Sequence, residues 1–592
     1  AREMFGVCNG FELLQKFIER WGYCYPCVTS TNMTPPEKRM SLITSCVDSY
    51  VYALKQSYAN RMRLQSGFPI SFVDEFLMNN PWKNTNPLTL TELLLALITE
   101  VSPDKVHGIF GDEVNKGNLQ YSLVNTYLLP SLLRFTQQLP STQEAVVYKL
   151  LENSLNDSFS LYSVFQCGAM EVLLQGYSPA CNEYVIQLMQ KMGRYAIQPK
   201  HLNKLLHKLK LNNMDGLLLN MLSYMASGEV VGGLTFDTCD KVSFIKNYVW
   251  LDGIPLTITG WVKLVQGSYC LFHITPTSQT DGIMFSMNGD RLCVYYGTVE
   301  YFNVPVPLGT WVHLVLTVQQ SLTLVVNGVN FSSTIQSVYI PQGSYSVTIG
   351  QNSESGETYC FSVGEMMIIN TYLTKSDIDS MLRLGPQYKG RYCASSYYDS
   401  FVSVHLTTNN IVYSMNDLIN DATRTDLVVG GRVCPTSPLP FCEAINSCGG
   451  LDCVLTLIEN STTAPELTDT VQILLFCMSG SSEFNEDALS INIFDVLHDI
   501  ITEKLPLVSK DLIQTLVSFS GTKSIMSTNV QRSYCRILPI IIMDLDILCS
   551  CSEVTEYILD SLSTYYTVNP REASQLFRDT KKHKDNIIYF HR

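Results

Sequence analysis

The stretch Trp311-Val-His-Leu-Val-Leu-Thr-Val318, followed by Leu322-Thr-Leu-Val-Val326 and the dipeptide Asn327-Gly328, decides how this chain is read. Both runs are rich in β-branched residues and have the length of a strand. Asn-Gly supplies the two positive φ angles that a tight hairpin demands. Working outward, the pattern recurs in Leu256-Thr-Ile-Thr-Gly-Trp-Val-Lys-Leu-Val265, in Arg291-Leu-Cys-Val-Tyr-Tyr296 and in a second turn dipeptide, Asn288-Gly289. Many short strands at regular spacing predict a two-sheet β-sandwich over 233–370. Trp250, Trp261 and Trp311 fall within it. Trp261 and Trp311 are expected to fill the space between the sheets, each more than half buried.

On either side the apolar period changes from two to three or four. Ile43, Val47, Tyr50, Leu54 and Tyr58 share one stripe, as do Leu90, Leu93, Leu94, Leu97 and Val101, and Val185, Leu188, Met189 and Met192. After Pro435 the helical period returns in Leu451, Val454, Leu455 and Ile458, then in Phe494, Leu497 and Ile501. No strict repeat length is present, so an irregular armadillo- or HEAT-like α-solenoid is the simplest arrangement for each helical region. The expected domains are 1–228 armadillo-like helices, 229–395 the sandwich, 396–434 a connecting segment, and 435–592 a second armadillo-like solenoid.

The chain has 592 residues, 46% hydrophobic and only 16% charged, with a net charge of −14. Such a composition supports folded cores. The acidic balance excludes a protein whose main business is tracking nucleic-acid phosphates. The most apolar run, Ile537 to Cys549, contains Asp544 and Asp546 and is shorter than the roughly 20 residues that cross a bilayer. Nineteen scattered cysteines, an odd number, predict a reducing, cytoplasmic setting.

The order of parts resembles the amino-terminal half of the BEACH-domain family, the neurobeachin and lysosomal-trafficking-regulator group. Gly309-Thr-Trp-Val-His-Leu-Val-Leu-Thr-Val318 with Leu324-Val-Val-Asn-Gly-Val329 is similar to paired strands of concanavalin A-like and laminin-G-like domains. Phe361-Ser-Val-Gly-Glu-Met-Met-Ile-Ile-Asn370 and Leu373-Thr-Lys-Ser-Asp-Ile378 resemble that fold's closing strand and following helix. Met381-Leu-Arg-Leu-Gly-Pro-Gln-Tyr388 resembles the exit from the sandwich in the BEACH family. Phe441-Cys-Glu-Ala-Ile-Asn-Ser-Cys-Gly-Gly-Leu451 and Asp544-Leu-Asp-Ile-Leu548 resemble its later helical region. The resemblance implies a non-enzymatic scaffold in vesicle trafficking or membrane dynamics. Its partners would be other proteins held on concave solenoid surfaces, with peripheral membrane association through further domains. The competing reading is a glycan- or lipid-recognising lectin-like module supported by helices.

No chemical constellation challenges these readings. Cys24-Tyr-Pro-Cys27 has redox spacing but no βαβ surroundings, and no second such pair completes a zinc site. Phosphate-loop, zinc-protease and serine-hydrolase motifs are absent from the sequence. No catalytic residue, cofactor or metal is expected. Asp237, Asp240, Asp281, Asn288 and Asp290 suit a calcium-dependent sugar site by residue type alone, so carbohydrate binding is disfavoured. Lys204, Lys208 and Lys210, with His201 and His207, make a basic helical patch better explained as a solvated face. Pro386 and Tyr388, after Gly385, are expected at a contact between the sandwich and a helical region. Thiol counting on the denatured, non-reduced chain is expected to return close to nineteen groups. A count lower by several pairs would place the protein in an oxidising compartment.

Overall fold

Alternating residues from Leu234 onward hydrogen-bond into two antiparallel sheets. In chain order the strands are β1 (Leu234–Asp237), β2 (Lys241–Tyr248), β3 (Leu256–Lys263), β4 (Gly267–Pro276), β5 (Ile283–Gly289), β6 (Arg291–Tyr296), β7 (Val299–Pro305), β8 (Trp311–Val318), β9 (Ser321–Val326), β10 (Val329–Thr334), β11 (Gly343–Ile349), β12 (Cys360–Ile369), β13 (Ile411–Ser414), β14 (Val428–Gly430) and β15 (Val433–Pro435). The structure, a computed structural model, describes parts of 45–61, most of 87–228, the strands and many turns within 233–436, residues 438–520, and short pieces of 537–559. One sheet runs β10-β9-β8-β3-β12-β1-β15, with β13 also on β12; the other runs β14-β2-β11-β4-β5-β6-β7. Residues such as Phe236, Ile258, Val262, Phe272, Phe285 and Leu316 pack between them, each at most 4 % exposed. Phe236 and Tyr269 both stack on Phe361, with ring centroids 5.4 and 5.1 Å away.

Both turn dipeptides fall on hairpins. Asn327 (φ 46°) and Gly328 (φ 81°) join β9 to β10, the paired positive angles of a type I′ turn. In the other hairpin Asn288 pairs with Arg291, so the turn residues are Gly289 (φ 67°) and Asp290, one position later than the dipeptide suggests.

The segment 396–434, expected to be only a connection, contributes strands to the sandwich. β13 pairs with β12, β14 with β2, and β15, which ends at Pro435, with β1. Three- and four-residue strands are too short to show a period, which is why their apolar residues look like a linker. The pairing of β15 with β1 brings the chain's entry to and exit from the sandwich side by side. Leu234 faces Pro435, Thr235 faces Cys434, and the Thr436 amide donates to the Gly233 carbonyl at 3.0 Å.

Contacts divide the chain into residues 1–211 and 212–592. In the first unit the helix Pro87–Thr99 ends at Glu100, whose φ of 54° turns the backbone out of the helix. The buried Glu100 carboxylate is gripped by the Arg61 guanidinium, Nε to Oε1 at 2.6 Å and Nη2 to Oε2 at 2.8 Å. The helix Pro199–Leu211 closes this unit with Leu202, Leu205 and Leu209 fully buried.

In the second unit, the helix Gly216–Ala226 packs against Ala464–Gly480, on the far side of the sandwich in sequence. Counting it with the first helical region, to residue 228, follows chain order; its contacts group it with the carboxyl-terminal helices instead. Ser223 Oγ donates to Gln472 Oε1 at 2.8 Å across this interface. In sequence the described helices flank the sandwich, and within the second unit the sandwich is inserted between two helices that pack on each other. Lys504 Nζ secures the same region by donating to the carbonyls of Ile458 (3.1 Å), Glu459 (2.6 Å) and Ser461 (2.6 Å) at the end of the helix Gly450–Asn460. No described helix is long and apolar enough to cross a membrane.

Asp469 lies on this helix pair. Burial pushes its carboxyl up to about 6, against the opposing effect of the neighbouring Asn220 and Ser223 side chains. The folded chain therefore holds that proton more tightly than the unfolded chain. The stabilisation is complete below about pH 4 and is lost as pH rises through about 6. Thermal denaturation is expected to show that Asp469→Asn gains midpoint temperature relative to wild type at pH 7.5 and loses most of that advantage at pH 4.5. An advantage independent of pH would contradict this account of the interface.

Candidate functional site

A sandwich has two outer faces, and here they differ. Thr235, Thr257, Thr259, Trp261, His313, Val315, Met367 and Ile369 alternate with the core residues of the eight-stranded sheet and so point away from the other sheet. None of them is more than 3 % exposed. Trp261 is thus buried, but on the outer face and not in the space between the sheets. Trp311, half-buried, has the same phase on β8. Every residue of β3 from Leu256 to Val262 is buried, so alternation alone does not reveal which of its faces meets the second sheet.

The helix Lys375–Leu384 helps to cover this outer face. A capping box opens it: Asp377 N donates to Thr374 Oγ1 at 3.2 Å, and Thr374 N to Asp377 Oδ2 at 2.8 Å. Met381, fully buried, sets its sulfur 3.9 Å from Thr259 Oγ1, and Leu382 reaches over Gly328. Gly385 then ends the helix with φ 74° and ψ 175°, a combination open essentially to glycine alone. Its positive φ suits a glycine after a helix, but its ψ lies outside the left-handed helical region. Pro386 is half-buried just beyond, and Tyr388 lies outside the described residues.

His313 sits within this covered layer, its ring centroid 5.0 Å from that of Trp261 and its Nε2 3.1 Å from Thr259 Oγ1. Burial lowers its pKa to about 3, so the imidazole stays neutral. Asn327 clamps the strand at the same point: its Oδ1 accepts from His313 N at 2.8 Å, and its own amide donates to the His313 carbonyl at 2.9 Å.

The seven-stranded sheet is different. Cross-strand register lines up three rows on its outer face: Thr348–His273–Met284–Tyr295–Glu300, Cys270–Ser286–Cys293–Asn303, and Ser268–Asn288–Arg291–Pro305. Most of these side chains are partly or fully exposed, Cys293 being the buried exception. At the β6–β7 end the rows are tied by polar contacts. Tyr295 donates its hydroxyl to Glu300 Oε2 at 2.8 Å, and Asn303 Nδ2 donates to Glu300 Oε1 at 3.0 Å. Arg291 Nη2 donates to the Asn303 carbonyl at 2.7 Å, and its Nε to Asn303 Oδ1. Hydrogen bonds from Asn303 and then Tyr295 hold the Glu300 carboxyl below its ordinary range, so it stays ionised. The same Glu300 contact raises the Tyr295 phenol, and burial followed by Glu300 raises the Cys293 thiol. The patch is a preset array of an anion, a cation, an amide and a phenol on a rigid sheet.

Of the five residues suited by type to a sugar or calcium site, the structure describes the side chains of two. Asn288 and Asp290 are exposed at the β5–β6 turn; Asp240, Asp281 and the side chain of Asp237 lie outside the described residues. Among the described residues no group of three His, Cys, Asp or Glu side chains is placed to hold a metal ion. Cys24 and Cys27 also lie outside the description. Of the basic patch, Lys204 and Lys210 are exposed and Lys208 half-buried. The Arg291, Tyr295, Glu300 and Asn303 array was not anticipated. Alternation in Arg291-Leu-Cys-Val-Tyr-Tyr296 places 291, 293 and 295 on one face, but the partner residues depend on β7 and on its register shift between Val294 and Tyr295.

Residues 240–379 match the family model described as the concanavalin A-like lectin/glucanases superfamily, in its laminin-G form. The sandwich is a concanavalin A-like, laminin-G-like domain. Several solved structures are similar to part of the chain. They include botulinum neurotoxin type C, in a structure titled for its interaction with two ganglioside molecules (12% identity, TM-score 0.20, covering 25% of this chain and 45% of that one). A heptameric pentraxin from Limulus polyphemus is 14% identical, with TM-score 0.21 and coverage of 26% and 83%. Domains LG4-5 of the mouse laminin alpha1 chain are 15% identical, with TM-score 0.20 and coverage of 25% and 44%. The chain spans less than half the length of the neurotoxin chain that it matches. No curated protein matches the chain.

Because unfolding returns His313 to a pKa near 6.5, acidification from pH 7.5 to 5 removes stability that the buried neutral imidazole provides. The shift predicts a loss of about 2 kcal/mol over that range. Chemical denaturation of His313→Asn is expected to lack this component; equal acid sensitivity in both proteins would show that His313 is not the group responsible.

Proposed function

We propose that the chain is a non-enzymatic binding protein in which the laminin-G-like sandwich is the recognition element and the helices its support. One observation carries this reading: the described outer face of the eight-stranded sheet is buried, while the described outer face of the seven-stranded sheet, on β4 to β7, is partly to fully exposed and carries a preset polar array. Tyr, Met and Arg, residue types favoured at protein interfaces, stand on this face as Tyr295, Met284 and Arg291. A folded protein partner is therefore the occupant we favour. Glu300 is the one carboxylate on the three rows, whereas glycoside hydrolysis uses two, which supports binding over catalysis. In its finer form the reading is a scaffold segment of a BEACH-type trafficking protein, supported by the sequence Met381 to Tyr388 with its glycine-dependent helix end at Gly385.

A second reading, recognition of a glycan, draws on the same array, since Arg291, Asn303 and Glu300 offer donors and acceptors suited to sugar hydroxyls. A photo-cross-linking residue at position 295 or 303 is expected to capture a discrete protein in cells, and one at the buried position 313 is not. A glycan array, in calcium and in chelator, is expected to be blank. Reproducible sugar binding abolished by Arg291→Ala would replace the protein partner with a glycan. Silence in both experiments would remove this face from consideration.

A further inference from the structure

Between Glu183 and Asp215 lie 31 residues with six lysines and arginines, two histidines and no acid, in a chain that carries 54 acids among 592 residues. The structure sorts these cations. Lys191 is used internally, its Nζ donating to the Glu152 carbonyl (2.8 Å), Glu152 Oε1 (3.2 Å) and Asn156 Oδ1 (2.7 Å). His201, 3 % exposed, turns inward to bring Nε2 within 3.0 Å of Glu171 Oε2, and Lys204 Nζ reaches the other oxygen of that carboxylate. Opposite the buried Leu202, Leu205 and Leu209, the helix Pro199–Leu211 exposes Lys200, Asn203, Lys204, His207 and Lys210. These positions repeat at helical spacing, so they form one stripe about 15 Å long.

The distribution of charge isolates this stripe further. Residues 1–211 carry 19 basic and 17 acidic side chains; residues 212–592 carry 21 and 37. The whole negative charge of the protein resides in the second unit, and the unit that bears the stripe is slightly cationic.

We propose that the exposed face of the helix Pro199–Leu211 docks on anionic lipid bilayers, by contact with headgroups and without insertion. The chemistry selects this occupant. The stripe is a convex helix face of lysine point charges, which suits many headgroups spread over a plane. It contains no arginine fork to hold a single phosphate in two bonds. Among the described side chains of this helix no large apolar one is exposed, so they offer neither a platform for stacking nucleic-acid bases nor a wedge to enter the acyl layer.

The test is co-sedimentation of the full chain with vesicles of two parts phosphatidylcholine to one part phosphatidylserine. Binding is expected with these vesicles, not with phosphatidylcholine alone, and is expected to weaken as salt rises. Lys200→Gln with Lys210→Gln should lower the partition coefficient about 25-fold, at about fivefold per lysine. Lys200→Arg with Lys210→Arg should preserve it, and Lys105→Gln with Lys375→Gln, exposed elsewhere, should leave it unchanged. An unchanged circular-dichroism melt will show that the glutamine pair is folded. Failure to bind the mixed vesicles, equal loss in the control pair, or binding to heparin or polyglutamate but not to vesicles would overturn the proposal.

Discussion

The pairing of β1 with β15 is the constraint on which the second unit depends. About 240 residues separate Gly216–Ala226 from the helix Ala464–Gly480 that it packs on, and loop-closure entropy grows only slowly with such a length. What must be met is geometric: the two ends of the insertion have to emerge together. Three ladder positions, Leu234–Pro435 to Phe236–Val433, meet that requirement while satisfying backbone groups that burial would otherwise leave unpaired. The helical pair bearing Ser223 and Gln472 then forms as though the sandwich were a loop.

The two sheets have correspondingly different surroundings. The eight-stranded sheet contains β1 and β15 and also receives the helix Lys375–Leu384. Its outer face therefore becomes a second apolar layer, in which His313 remains neutral and Trp261 is as buried as any core residue. The seven-stranded sheet, with Arg291, Tyr295 and Glu300 on β6 and β7, keeps a face of half-exposed polar side chains. Which face is left open thus follows from which sheet carries the connections.

Much of this was legible in the sequence, and the remainder was hidden for definite reasons. Strong strands such as Trp311–Val318, the Asn327-Gly328 turn and the glycine at 385 declare themselves, because their chemistry acts between neighbouring residues. Trp261 does not: when both faces of β3 are buried, alternation identifies two faces but not which is inner. The length of β13 to β15 conceals them, and the packing partner of Gly216–Ala226 is hidden because helix pairing across 240 residues leaves no local mark. The Arg291–Asn303–Glu300–Tyr295 array was the least legible, since its members meet only through a ladder with an irregularity at Val294.

The side-by-side ends of the sandwich also bear on how such a protein can arise. Neighbouring strands lie about 4.8 Å apart, so the two junctions at Gly233 and Thr436 occupy little more room than an ordinary tight turn between helices. A gene fragment encoding this domain could be spliced into a helical host at a single short loop, or removed from it, with the host's packing intact. Recombination has an easy target here, and a laboratory graft of the same interval into an unrelated helical protein would meet the same favourable geometry.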